Sequence, residues 1–131
     1  MTYSILIIED EPTLREKLAL ALTETVFKVT DISDYFEALW ALSESKPDLL
    51  IMDEKLPQLD KWQACYWLHQ TFDIPIVLLG RDSSDEAWTR AVQAGVDFYL
   101  RMPFGNLELP ARVKAILRRC KRDSGGTVQK G

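Results

Sequence analysis

Three acidic side chains follow two apolar runs of the sequence, and they are the residues best suited to carry chemistry. Glu9 and Asp10 come directly after SILII, and Asp53 comes directly after LLIM. Apolar runs without alternation are typical of strands that are covered by helices on both faces. In an open α/β sheet, ligands bind in the crevice at the carboxyl ends of the strands. We therefore expect the three carboxylates to line one site at that edge.

Like charges gathered at one edge need a neutralising partner. Two charges about 6 Å apart repel by roughly 3 kcal/mol at an effective dielectric constant near 20. This cost is removed by a raised pKa or by a bound cation, and an oxygen-rich site suits Mg²⁺. Magnesium also neutralises phosphoryl oxygens during transfer to a carboxylate. The pattern predicts a phospho-accepting Asp53 beside a weak Mg²⁺ site, although the helix dipole alone also favours acids in a first helical turn.

The elements that must position these acids alternate between strand and helix. The predicted strands are 4–8, 27–32, 49–53, 75–79 and 96–100, each followed by apolar residues at helical spacing. The first helix is predicted over 12–25 and the last over 107–120, while Asp34 caps the second and Ser83 or Ser84 the fourth. Five such repeats predict an α/β fold, a five-stranded parallel sheet with helices on both faces in the flavodoxin-like order 2-1-3-4-5.

Composition narrows the function classes. The chain has 131 residues and a net charge of −4, and its basic residues cluster only near the C-terminus, so we expect no nucleic-acid binding by this segment. No apolar run approaches the roughly 18 residues of a membrane span, and we expect a cytoplasmic protein with no membrane contact. Residues 1–122 are predicted to form one domain, and 123–131 a flexible tail or the start of a linker.

The four tryptophans lie on predicted helices. Trp40, Trp62, Trp67 and Trp88 are expected to pack on helix faces, and an exposed aromatic patch of Trp62 and Trp67 is the alternative.

Four segments together resemble the receiver domain of two-component response regulators. They are ILIIEDEP, LLIMDEKLP, GVDFYL with PF two residues later, and LELPARVKAILRR, and the resemblance runs from Ser4 to about Arg119. It implies that Asp53 is the residue phosphorylated by a sensor histidine kinase. It also implies that Glu9, Asp10 and Asp53 bind the metal together with the carbonyl of Lys55.

The same resemblance suggests how a signal would leave the domain. Tyr99 matches the family's switching aromatic residue, and Pro103 matches a proline that usually follows a cis peptide bond. The last helix is similar to that of receivers joined to winged-helix DNA-binding domains. Such receivers often form homodimers through the fourth helix, fifth strand and fifth helix, so DNA binding is expected only through a further C-terminal domain.

The sequence departs from the family at both switch positions. Gly80 stands where the family has a Ser or Thr hydroxyl, and Met102 stands where it has a lysine. A ligand that makes no differential contacts cannot shift a conformational equilibrium. Arg81 could supply positive charge to the pocket, or it could be a solvated loop residue. Lys61, in place of a loop glycine, is a smaller departure.

We therefore expect an atypical receiver that is not an enzyme, with weakened phosphorylation control. A dimerisation or partner-binding module that works without phosphorylation is an alternative within the same family. A small α/β enzyme or flavin carrier is an alternative from another class. A flavin carrier needs a phosphate-binding loop after the first strand, and the loop EDEP would repel phosphate.

Overall fold

Five strands alternate with five helices along the chain. The structure, a computed structural model, describes residues 2–56 and 60–124, with side chains up to Cys120. Within these residues the elements are, in chain order, β1 (Tyr3–Ile8), α1 (Pro12–Ala21), β2 (Phe27–Ile32), α2 (Tyr35–Ser45), β3 (Leu49–Asp53), α3 (Lys61–Phe72), β4 (Ile76–Gly80), α4 (Asp85–Gln93), β5 (Phe98–Arg101) and α5 (Glu108–Ser124).

The sheet has the predicted topology. All strand pairs are parallel, and the strands lie in the order β2-β1-β3-β4-β5. Ile8 at the end of β1 pairs with Met52 of β3, and Asp53 pairs with Leu79 of β4. Glu9 and Asp53 therefore lie at the ends of neighbouring strands, as the order 2-1-3-4-5 requires.

Side chains of the sheet alternate between two buried cores, one on each face. On one face the central strands pack against buried residues of α2, α3 and α4, namely Ala38, Leu42, Ala64, Cys65, Leu68, Ala87 and Ala91. On the other face they pack against buried residues of α1 and α5, namely Leu18, Leu109, Val113, Ile116 and Leu117. Because both faces are covered, the central strands contain apolar residues at every position rather than at every second one.

Polar side chains fix where the helices begin. Asp34 and Ser84 each accept a hydrogen bond from a backbone N–H in the first turn of α2 and α4, which confirms both predicted caps. Glu11 caps α1, because its carboxylate accepts from two backbone N–H groups at 2.7 and 3.2 Å. Helix capping therefore accounts for Glu11 but not for Glu9, which precedes the cap.

The predicted end of α1 and the predicted start of β5 were wrong by a few residues. Helix α1 ends at Ala21 rather than at 25, because the N–H groups of Leu22 and Thr23 bond carbonyls only three residues back and tighten the chain into a turn. Strand β5 begins at Phe98 rather than at 96. The N–H of Val96 bonds the carbonyl of Ala91 at 3.0 Å, so this residue still belongs to the turn after α4.

Most of the tryptophans do not pack as predicted. Trp40 and Trp88 are 68% and 53% exposed, because α2 and α4 contact the sheet through a narrow stripe of Ala and Leu residues that excludes them. Trp62 packs half-buried against the first core. Trp67 is exposed, in agreement with the alternative prediction for this residue.

The C-terminal part of the chain is only partly described. Helix α5 continues to Ser124, four residues past the helix end predicted at 120 and two residues past the domain boundary predicted at 122. Most of the predicted tail, residues 125–131, lies outside the described residues, as do Pro57, Gln58 and Leu59 after β3. The division into domain and tail therefore stays a prediction.

Among the helices of the described residues, none combines the length and the apolar character that crossing a membrane requires.

Candidate functional site

Two of the three predicted acids are buried together at the carboxyl edge of the sheet. Glu9 directly follows β1 and has no exposed surface, and Asp53, the last residue of β3, is only 2% exposed. Asp10 is exposed to solvent. The structure thus places a buried carboxyl pair in the crevice and leaves Asp10 at its rim.

Glu9 is held in a position that favours its protonated form. Its Oε2 accepts the N–H of Glu11 at 3.1 Å, whereas its Oε1 is buried with no donor among the described residues. Burial is the main cause that raises the pKa of Glu9 to about 8. The neighbouring Asp53 also raises this pKa, because its carboxylate would accept a hydrogen bond from protonated Glu9 and repels ionised Glu9. A proton on Glu9 would satisfy both facts, because the carboxylic acid can donate to the Asp53 carboxylate.

Asp53 is the anion of the pair, and Arg81 neutralises it. The two guanidinium nitrogens Nη1 and Nη2 of Arg81 donate to Oδ1 and Oδ2 of Asp53 at 2.8 and 3.2 Å. Such paired contacts fit the planar fork of arginine to a carboxylate. Arg81, the candidate cation from the sequence, therefore contacts the candidate phosphoacceptor Asp53 directly.

The protonation of Asp53 follows from these contacts. Burial acts to raise its pKa, but the hydrogen bonds from Arg81, Glu9 and the backbone N–H of Lys55, together with the charge of Arg81, outweigh burial and lower it. The bond to Asp53 also raises the pKa of Arg81. The raised pKa of Glu9 and the lowered pKa of Asp53 both favour a pocket with one proton on Glu9 and one internal ion pair.

Two other basic residues at this edge of the sheet have exposed side chains. The side chain of Lys55 is exposed, and this residue contributes its N–H to Asp53 Oδ1 at 2.9 Å. Arg101 is exposed on β5.

Glu54 is a residue of the site that the sequence patterns did not reveal. Its side chain is 7% exposed, and Oε2 accepts the backbone N–H of Arg81 at 2.7 Å. Its Oε1 accepts from Nζ of Lys61 at 2.9 Å and from the hydroxyl of Tyr99 at 3.1 Å. One carboxylate therefore connects the loops after β3 and β4 with β5.

A sequence signal for Glu54 existed but was weak. An acid directly after a buried strand needs a partner, and Lys61 supplies a cation seven residues later in place of a small loop residue. Side-chain direction in a loop is not set by periodicity, so this pairing could not be derived from spacing alone.

Gly80 makes room for Tyr99. A Cβ atom on Gly80 would lie 2.0 Å from the Tyr99 hydroxyl oxygen and 2.1 to 2.2 Å from ring carbons. The ring is 8% exposed, and its hydroxyl accepts the N–H of Asp82 at 3.3 Å. The absence of a side chain at position 80 is thus what allows the ring to lie over the end of β4.

A family model for the response regulator receiver domain matches residues 5–114 of the chain. The chain belongs to the response regulator receiver family. This receiver is 33% identical over 128 residues to transcriptional regulatory protein AfsQ1 of Streptomyces coelicolor. It is 36% identical over 122 residues to phosphate regulon transcriptional regulatory protein PhoB of Escherichia coli.

The relatives are longer than this receiver. The two alignments cover 98% and 91% of this chain but only 57% and 53% of those proteins, so the chain spans about half the length of the curated relatives it matches. A solved two-component response regulator from Clostridium difficile is 30% identical, with a TM-score of 0.83 and coverage of 91% of this chain and 98% of that one. These similarities confirm the resemblance seen in the motifs, and they confirm the fold.

Met102, the second departure from the receiver pattern, is partly shielded from solvent. It is half-buried against the core formed with α1 and α5, and its N–H donates to the carbonyl of Gly80 at 2.8 Å. The Met102–Pro103 peptide bond is cis, as the resemblance implied. No ammonium group is available at position 102 to approach Asp53.

The receiver family generally binds Mg²⁺. The carboxylate oxygens of this pocket are suitable ligands for Mg²⁺, but they are not arranged to hold it. Both oxygens of Asp53 are bonded to Arg81, and Asp10 is exposed. In the described part of the chain, no three Asp, Glu, His or Cys side chains are grouped so that they could hold a metal. The pocket does not fit a divalent ion while Arg81 occupies Asp53.

Proposed function

We propose that this receiver keeps Asp53 as a phosphoacceptor but has weakened phosphorylation control. The observation that supports the proposal is the ion pair in which Arg81 engages both oxygens of Asp53, at 2.8 and 3.2 Å. An acceptor oxygen must leave this pair before it can attack a phosphoryl donor. The Arg81 guanidinium therefore competes with a phosphoryl donor for the Asp53 carboxylate.

The expected size of this restraint follows from the strength of charge-assisted hydrogen bonds. Such a bond contributes about 1.5 to 3 kcal/mol in a protein. If that amount is added to the barrier for labelling, the rate falls by roughly ten- to a hundredfold. Asp53 is 2% exposed, so its side of the pair is little weakened by solvent.

The two departures at Gly80 and Met102 act on the step after labelling. A phosphoryl group on Asp53 would find no hydroxyl at position 80 and no ammonium at position 102. These are the contacts that would distinguish the modified form from the unmodified one. Without these contacts, modification of Asp53 shifts the conformational equilibrium only slightly.

The proposal is tested by labelling with a small phosphoryl donor. The wild type, Arg81→Ala and Asp53→Asn are incubated with acetyl phosphate and Mg²⁺, and the intact mass is followed over time. We expect slow addition of one phosphoryl group to the wild type, none to Asp53→Asn, and labelling of Arg81→Ala that is roughly ten- to a hundredfold faster.

Arg90→Ala is the matched control, because Arg90 is an exposed arginine on α4. It should label at the wild-type rate. Equal rates for the wild type and Arg81→Ala would show that Arg81 does not restrain Asp53. A phosphoryl group that survives in Asp53→Asn would show that Asp53 is not the acceptor.

The proposed partners follow from membership of the receiver family. A sensor histidine kinase is the proposed source of the phosphoryl group. The relatives AfsQ1 and PhoB are named as transcriptional regulatory proteins, and this chain matches about half of each. We therefore assign DNA binding to a domain outside residues 1–131.

A second candidate is a module that dimerises without phosphorylation, through α4, β5 and α5. Trp88 and Val92 favour it, because they lie one turn apart on α4 and are 53% and 56% exposed. Sedimentation velocity of the unmodified protein should show a dimer that is lost in Trp88→Asp. A monomer in both samples would contradict this candidate.

A further inference from the structure

We infer that Glu54 and Gly80 together fix Tyr99 in an inward position, independently of the Asp53 carboxylate. The inward position is defined by the ring lying over Gly80 and the hydroxyl bonding the Glu54 carboxylate at 3.1 Å. The inference deepens the proposed function and rests on it for the role of Tyr99 as the family's switching residue. In this receiver Tyr99 is then a fixed part of the structure rather than a switch.

The space that the ring fills is set by Gly80. Any side chain there would place its Cβ 2.0 Å from the Tyr99 oxygen, far inside the contact distance of two atoms. Here the space is filled by Tyr99 itself, and leaving it would open a void next to the buried end of β4.

Glu54 holds the hydroxyl end of the ring. Its Oε1 accepts from Tyr99 and from Lys61, and its Oε2 accepts the backbone N–H of Arg81. With the side chain of Glu54 only 7% exposed, an outward movement of Tyr99 would remove one of the donors that satisfy a buried carboxylate. The indole of Trp62 covers the ring, with centroids 6.3 Å apart.

None of these contacts involves Asp53. The polar partners of the Tyr99 hydroxyl in the described residues are the Glu54 carboxylate and the N–H of Asp82. Asp53 is bonded instead to Arg81 and to the backbone N–H of Lys55. The Tyr99 hydroxyl is therefore held by the residue after the acceptor, with no direct contact to the acceptor.

Nitration of tyrosine by tetranitromethane tests this inference, with Tyr66 as an internal reference. Tyr66 is 55% exposed and Tyr99 is 8% exposed. Trypsin separates them, because residues 62–81 carry only Tyr66 and residues 91–101 carry only Tyr99. The ratio of nitration at Tyr99 to that at Tyr66 is measured in the unmodified wild type and in four variants, Glu54→Ala, Glu54→Gln, Gly80→Ala and Asp53→Asn.

In the wild type, Tyr99 should react much more slowly than Tyr66. Glu54→Ala and Gly80→Ala should each raise the ratio by roughly five- to tenfold, on the scale of the difference in exposure between the two rings. Glu54→Gln keeps an acceptor oxygen and should restore most of the protection, which a general loss of folding would not do. Asp53→Asn should leave the ratio within about twofold of the wild type.

Three results would overturn the inference. They are a wild-type Tyr99 that reacts as fast as Tyr66, a ratio that Glu54→Ala leaves unchanged, and a ratio that Asp53→Asn raises as much as Glu54→Ala does. The experiment uses no phosphoryl donor and is measured on a different residue from the labelling of Asp53. The inference and the proposed function can therefore fail independently.

Discussion

The two halves of the carboxyl edge differ in what they keep of the receiver pattern. At the ends of β1 and β3, Glu9 and Asp53 form a buried carboxyl pair in the place that the motifs predicted. At the ends of β4 and β5, the hydroxyl and the ammonium of the family are absent, and Arg81 and Tyr99 fill the space instead. The ends of β1 and β3, the retained half, keep the residues of the receiver pattern where a phosphoryl group could be accepted. The ends of β4 and β5, the response half, have different residues where that group would be contacted.

Under the proposed function, the acidic pocket of this receiver is separated from its response. The charge of Asp53 must be balanced in any receiver, since burying an uncompensated carboxylate costs several kcal/mol. Here an arginine of the chain itself supplies the balance. That arginine comes from the response half, where Tyr99 is held by the contacts of Glu54. Each prediction below tests one side of this contrast.

The largest expected effect lies in the retained half and concerns pH. Because the pKa of Glu9 is raised from 4.5 to about 8, folded Glu9 keeps a proton that the unfolded chain releases above about pH 5. The stability contributed by this proton is complete below pH 4.5 and is lost as the pH rises to about 8. The free energy of unfolding, measured by urea titration, should fall by a few kcal/mol more in the wild type than in Glu9→Gln over that range.

Glu16→Gln is the control for Glu9→Gln, since it removes an exposed carboxylate of α1. Its pH dependence should follow that of the wild type, with EDTA present in all samples. If Glu9→Gln retains the full pH dependence of the wild type, the buried proton on Glu9 is not part of the fold.

The next effect links the two halves through Met102. In Arg81→Ala, replacing Met102 by lysine restores an ammonium near a freed Asp53 and should raise the rate of labelling by about tenfold. In the wild-type background the same replacement should change the rate little, because Arg81 still holds both carboxylate oxygens. Met102→Leu is the control, and an equal gain in both backgrounds would refute the restraint by Arg81.

The smallest effect concerns Lys61, whose partner Glu54 holds Tyr99 of the response half. Its ion pair with Glu54 at 2.9 Å is partly exposed on the lysine side, so Lys61→Ala should cost less than about 1 kcal/mol of stability. Thermal unfolding should show a decrease of a few degrees, and Lys28→Ala, an exposed lysine of β2, should show none. A loss of several kcal/mol would mean that Lys61 supports the core and not only Glu54.

The sequence was sufficient for the fold because its strongest patterns are tied to burial. The apolar runs at Ile5–Ile8 and Leu49–Met52 are buried on both faces of the sheet, and a central strand of a covered parallel sheet is the structure that most often produces them. The capping residues Asp34 and Ser84 were found because their local chemistry is specific. The predicted packing of Trp40 and Trp88 was wrong, because an apolar residue on a helix does not indicate how wide the buried stripe of that helix is.

The site was predictable only as far as strand ends determine it. The order of strands places Glu9 beside Asp53 without any knowledge of side-chain conformation. The direction of Arg81, the contacts of Glu54 and the ring of Tyr99 depend on loop geometry and on the space left by Gly80. These features involve residues far apart in the chain, and no local period encodes them.

The central claim is that Arg81 neutralises the Asp53 carboxylate through an ion pair, and a magnesium titration tests it most directly. Mg²⁺ is added to the wild type, Arg81→Ala and Arg90→Ala, and backbone amide shifts around Asp53 are followed by NMR. We predict that Arg81→Ala binds Mg²⁺ at least about tenfold more tightly than the wild type and Arg90→Ala, because the carboxylate is then uncompensated. The same affinity in all three proteins would contradict the account.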